Sequence, residues 1–90
     1  MKDLMIDVET RVREILAEQA GVPADDIRPE TAPADLGIDS MGIVEIIFAI
    51  EESFDVQVPF NANAPDAADF DVSSVGAITA AVERLVAEQR

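Results

Sequence analysis

Ser40 is the residue of this chain best placed to carry chemistry. It stands in the run Asp35-Leu36-Gly37-Ile38-Asp39-Ser40-Met41, where a Pro- and Gly-containing connection gives way to a helical pattern from Gly42 to Phe54. A hydroxyl in the first turn of a helix lies beside unpaired backbone N–H groups and the positive end of the macrodipole, so a phosphate ester on Ser40 would be stabilised there. Asp and Ser also cap helices throughout proteins, and on these two residues alone capping is the simpler account. The rest of the chain decides between the two.

The composition excludes more than it proposes. Nineteen acidic residues stand against six basic ones, a net charge of −13, with no histidine and no cysteine. A polyanion lacks the Lys and Arg that nucleic acid or anionic lipid would require, so neither is an expected partner. Basic protein surfaces and fast, salt-sensitive encounters are expected instead. Without His or Cys the commonest general bases, nucleophiles and transition-metal ligands are missing, so no enzyme activity, catalytic residue or metal site is expected. The absence of cysteine fits a reducing compartment, and Met1-Lys2-Asp3-Leu4 does not read as a secretory leader; a cytoplasmic location is expected. No apolar run is long enough to insert into a membrane. Ninety residues, of which 49% are hydrophobic, are expected to form one domain over 1–90, monomeric and without an internal repeat.

Three long amphipathic stretches would position the serine. Met5, Val8, Val12, Ile15 and Leu16 recur at helical spacing, which predicts a first helix from about Asp3 to Gln19, with Glu9 and Arg13 spaced as an i,i+4 pair and Gly21 and Pro23 ending it. The stretch from Gly21 to Ile38 is long for a connection, and its scattered Val22, Ile27, Leu36 and Ile38 predict that it is pinned to the core, with a helical turn near Ala24–Ile27. A second helix, from about Ser40 to Phe54, gathers Ile43, Ile46, Ile47, Ile50 and Phe54 on one face at 100° per residue. Met41, Val44 and Phe48 form a separate stripe fringed by Glu45, Glu51 and Glu52. Carboxylates are rarely buried unpaired, so that stripe reads as an exposed docking surface. Val56, Val58 and Phe60 read as an extended connector, a short helix is expected to start near Pro65, and Ser73 or Ser74 caps a final helix bearing Val75, Ile78, Val82, Leu85 and Val86.

From Asp35 to Pro59 the chain resembles the acyl carrier protein family most densely. The matching residues are Asp35-Leu36-Gly37-Ile38-Asp39-Ser40-Met41, then Val44-Glu45, Ala49-Ile50-Glu51-Glu52-Ser53-Phe54 and Val58-Pro59, with Asp39-Ser40-Met41 standing for the family's Asp-Ser-Leu. The resemblance implies an all-α four-helix bundle with three long helices, a short third helix and a long first loop. It implies 4′-phosphopantetheine joined covalently to Ser40, flanked by Asp39 and Met41, and acyl intermediates held on that arm as thioesters. The implied partners are a phosphopantetheinyl transferase (holo-carrier synthase) and the acyl-transferring and ketoacyl synthase enzymes of lipid or fatty-acid synthesis. Their basic patches would meet Met41, Val44, Glu45, Phe48, Glu51 and Glu52. The cargo would be sheltered by Ile43, Ile47 and Ile50, with Ala32 where the family often has a larger apolar residue.

Gly42, where many members carry an acid, and a longer link over 60–71 depart from the common pattern, as in specialised bacterial carriers. A polyketide carrier, an aminoacyl carrier and an unmodified acidic adapter remain alternative readings of the same residues.

Overall fold

The computed structural model describes residues 7–59 and 71–89. Three α-helices occupy most of that chain: α1 (Val8–Ala20), α2 (Ser40–Phe54) and α3 (Val75–Gln89). There is no strand among the described residues, and the architecture is the small all-helical carrier fold that the resemblance implied. Helix α1 packs against both α2 and α3. The short helix expected near Pro65, the Phe60 end of the connector and Met5 lie outside the described residues.

Helix α1 starts at Val8 rather than near Asp3, because Asp7 is extended (φ −75°, ψ 130°). The Asp7 carbonyl accepts the amide of Arg11 at 3.1 Å as the first bond of the helix, while its carboxylate accepts from the Thr10 hydroxyl at 3.4 Å and caps no backbone amide. At the other end Gly21 takes the left-handed conformation (φ 73°), and its N–H and that of Val22 both reach the Ala17 carbonyl. The ion pair on this helix joins Arg11 to Glu14 at 3.3 Å; Glu9 and Arg13, although correctly spaced, form none. The Arg13 Nε is buried without a partner, so that side chain lies along the protein instead of reaching out to Glu9.

The core is assembled from one stripe of each helix. Val12 and Leu16 of α1, Ile46 and Ile50 of α2, and Val75, Ile78 and Val82 of α3 are all fully buried or nearly so. Burying an Ile, Leu or Val completely contributes about 1.5–3 kcal/mol, so these positions carry much of the domain's cohesion. Ile43 and Phe54, expected on the same buried face of α2, are only half-buried at its margin.

The connection between α1 and α2 is held at several points. Ile27, 1% exposed, drops into the core as its apolar anchor. A 3-10 turn at Ala24–Asp26 stands where a helical turn was expected, and a second at Pro33–Leu36 was not foreseen. That second turn has the local signature of a short helix: proline in its first position and Gly37 (φ 78°) closing it in the left-handed conformation. The amides of Val75 and Gly76 donate to the carbonyls of Thr31 and Pro29 at 2.8 and 2.7 Å. Donors at the start of α3 are thereby satisfied by the long connection, and Ser74, rather than Ser73, adds the side-chain cap by accepting from Ala77.

After α2 the chain leaves through Asp55, a non-glycine residue in the left-handed region (φ 55°, ψ 51°), which Asp tolerates better than most. The extended stretch that follows is tied down twice. Val58 N–H donates to the Glu51 carboxylate, and the Gln89 side-chain amide makes two 2.9 Å bonds with the backbone N–H and C=O of Gln57.

Candidate functional site

Ser40 is the first residue of α2 and is exposed. Its neighbour Asp39 is the helix cap: the Asp39 carboxylate accepts the Gly42 N–H at 2.9 Å and its carbonyl accepts the Ile43 N–H at 2.9 Å. Asp39 thus fixes the first turn from the preceding residue and leaves the serine hydroxyl projecting from its start.

Beside Ser40 opens an apolar cleft of about 420 Å³. One wall is the second 3-10 turn with its flanks, Ala32, Pro33, Ala34 and Ile38; the other is the first half of α2, with Ile43 and Val44; Val72 and Ser73 close one end. Two of the four residues expected to shelter a cargo, Ala32 and Ile43, line it. Ile47 and Ile50 do not: at 4% and 0% exposure they are sealed into the three-helix core, one to two turns beyond the cleft. Pro33, Ala34, Ile38, Val72 and Ser73 were not singled out in the sequence, although the Pro33…Gly37 punctuation was a local signal for a turn that would bring them to α2.

The second apolar stripe of α2 divides between two surroundings. Met41 and Phe48 are 70% and 60% exposed, the large apolar side chains most open to solvent among the described residues. Val44 is half-buried and faces the cleft instead of standing fully outside. Phe48 shares a shallow hollow with Glu51, Glu52 and Asp55, and Glu45 is exposed on the same helix. Glu51 is less free than its position in the pattern implies, since one of its oxygens holds the Val58 N–H at 2.9 Å.

Gly42 is buried, and a Cβ there would fall 2.7 Å from Cγ2 of Ile38. The glycine is therefore accounted for by the close approach of Ile38, an explanation the sequence did not disclose. Next to Val72 and Ser73 of the cleft lining, the exposed Asp71 carboxyl is held below the usual aspartate value, chiefly by the Ser73 hydroxyl and then by the Ser73 N–H, which donates at 2.9 Å.

Ser40 is thus an exposed serine at the start of a capped helix, beside an apolar cleft in a small all-helical fold. Residues 10–82 match the family described as phosphopantetheine attachment site, and the chain belongs to that family. Its prosthetic group is 4′-phosphopantetheine, and its role is that of a carrier, served by a phosphopantetheinyl transferase and by biosynthetic enzymes. The residues present fit such a group: a hydroxyl open to solvent for the ester, and an open-sided apolar cleft adjoining it. Among the described residues no helix is long and apolar enough to cross a membrane.

Proposed function

We propose that Ser40 carries the 4′-phosphopantetheine and that the protein holds acyl intermediates for enzymes of lipid or fatty-acid synthesis, in the cytoplasm. The observation that carries this reading is the exposed Ser40 at the start of α2, on the rim of the apolar cleft. When attached, the group supplies the thiol that a chain without cysteine lacks, and cargo rides on it as a thioester.

The chain's own residues have three tasks. Asp39 is a positioning residue: by capping Gly42 it sets the first turn from which Ser40 projects. The unpaired donors and macrodipole of that turn favour an anion at its end, an effect of about 0.3–1 kcal/mol at an exposed site. Ala32, Ile43 and Val44 offer the arm or its cargo an apolar wall, which favours acyl over aminoacyl cargo, since a charged amino group would be desolvated there. Met41 and Phe48, with Glu45, Glu51 and Glu52 around them, form the surface on which partner enzymes with basic patches dock, an apolar anchor within a ring of like charge. No residue of the chain is assigned a catalytic role.

Incubation of the purified chain with a phosphopantetheinyl transferase and coenzyme A tests the attachment. The intact mass should rise by one phosphopantetheine, and Ser40→Ala should abolish the increase while the helical circular dichroism stays. An adduct that persists in Ser40→Ala would move the site to another residue.

A further inference from the structure

A glycine in the third position of a helix gives up stability relative to alanine, so its presence calls for a reason in what approaches it. At Gly42 the reason is Ile38. A Cβ on residue 42 would lie 2.7 Å from the Ile38 branch methyl, closer than non-bonded carbons approach, and 3.5 Å from both the Asp39 carboxylate and the Gln19 side-chain amide. The two 3.5 Å approaches are ordinary van der Waals contacts, so Ile38 is the group that must yield. Ile38 is half-buried and is also one of the residues that line the cleft beside Ser40. A side chain at residue 42 would therefore displace a residue of the cleft wall.

We propose that Gly42 is a specificity-determining residue: by carrying no side chain it lets Ile38 lie down on the first turn of α2, and so sets the width of the cleft and the size of the acyl group it accepts. The inference rests on the reading that the cleft takes the cargo. Gly42 and Ile38 act as a matched pair. With Ile38 opposite it in this chain, a larger residue at 42 narrows the cleft, and a smaller residue at 38 widens it toward longer or branched chains. Gly42 itself does not line the cleft, so its influence passes through Ile38.

The test uses the protein loaded on Ser40 with octanoyl-4′-phosphopantetheine and with the unloaded arm, in the wild type, Gly42→Ala, Ile38→Ala and the double variant. A ligand sheltered only in the native state raises the melting temperature. The wild type should melt higher when octanoylated, with contacts from the chain to the Ile43 and Val72 methyl groups in NMR spectra. Gly42→Ala should lose at least half of that rise and the Val72 contacts. The double variant should regain both, because removing the Ile38 branch methyl removes the collision. An undiminished rise in Gly42→Ala, with the wild type still responding, would overturn the role of Gly42 while leaving the cleft as the cargo site. Octanoyl and unloaded wild type melting together, without contacts to Ile43 or Val72, would overturn both. Should Gly42→Ala fail to fold, Ile38→Ala alone carries the test: it should extend the rise from octanoyl to dodecanoyl cargo, and an unchanged dependence on chain length would overturn the proposal.

Discussion

The Pro29 carbonyl accepts the Gly76 amide at 2.7 Å, so the backbone of the long connection caps the first turn of the last helix. A Cβ on Gly76 would stand 3.2 Å from that same oxygen, an approach that backbone atoms cannot easily relieve. Gly76→Val adds a branched side chain to this contact and should push the connection away from α3. Overpacking of this kind costs about 1–3 kcal/mol. Denaturant unfolding would read the loss, and amide exchange should quicken at Glu30 and Thr31; unchanged stability would mean the two segments separate without consequence.

Ile27 holds the same connection from the other side. It is 1% exposed just after the first 3-10 turn, so its burial is the apolar part of what fixes that segment to the core. Ile27→Ala should cost about 2–5 kcal/mol, the range for deleting a fully buried Ile. Small domains are marginally stable, about 5–15 kcal/mol, and a charge of −13 repels itself within this one. The variant should therefore unfold at low ionic strength and be partly rescued by salt, which a thermal melt at two salt concentrations would reveal.

The helices were legible in the chain because a stripe recurring every three or four residues has one stable solution, burial of that stripe. Val12, Leu16, Ile46, Ile50, Ile78 and Val82 are buried as their spacing implies. Ser40 was legible at the start of α2 because Asp39 is a capping residue type at a helix boundary, and the bond to Gly42 is made. The cleft was only half legible. Its α2 wall followed from helical angles, but those angles could not separate Ile43, at the margin, from Ile47 and Ile50, which the packing of α1 and α3 seals. Its other wall depends on where an irregular segment lands. That is decided by carbonyls finding donors on a helix more than forty residues away, and no local periodicity records it. The boundary of α1 at Val8 was not legible either, since the extended backbone of Asp7 that marks it leaves no trace in the apolar spacing.

Glu45, Glu51 and Glu52 share one helix but should respond differently to mutation. Glu45 and Glu52 are exposed, whereas Glu51 also holds the Val58 N–H. Glu45→Lys with Glu52→Lys should slow modification of Ser40 and flatten its salt dependence, each exposed pair contributing about 0.2–1 kcal/mol, while melting is little changed. Glu51→Ala should also destabilise the connector, by about 0.5–1.5 kcal/mol for the lost hydrogen bond. Glu51→Gln should restore that stability without restoring docking, because the amide oxygen still accepts but carries no charge. Transferase kinetics at several salt concentrations, set beside thermal melts of the same proteins, separate the two roles. Identical behaviour of Glu51→Gln and wild type in the kinetics would remove Glu51 from the docking surface.

Acid should loosen the turn that Asp71 makes with Ser73, a residue of the cleft lining. The Asp71 carboxyl is held below the ordinary aspartate value of 3.8 because the Ser73 hydroxyl and N–H donate to the charged form. A folded value below the unfolded one means that this turn's contribution to stability is fully present above about 3.8 and is lost as pH falls through the folded value. The effect therefore belongs to the acid range and should be invisible at neutral pH. Global unfolding in acid reports on the whole chain rather than on Asp71. The Ser73 amide resonance isolates it, since Ser73 both donates to the carboxylate and borders the cleft. It should titrate with a midpoint below 3.8 in the wild type, and that titration should vanish in Asp71→Asn, whose side chain still accepts the bonds but holds no titrating proton. A Ser73 titration that persists in Asp71→Asn would assign the acid response to another carboxylate.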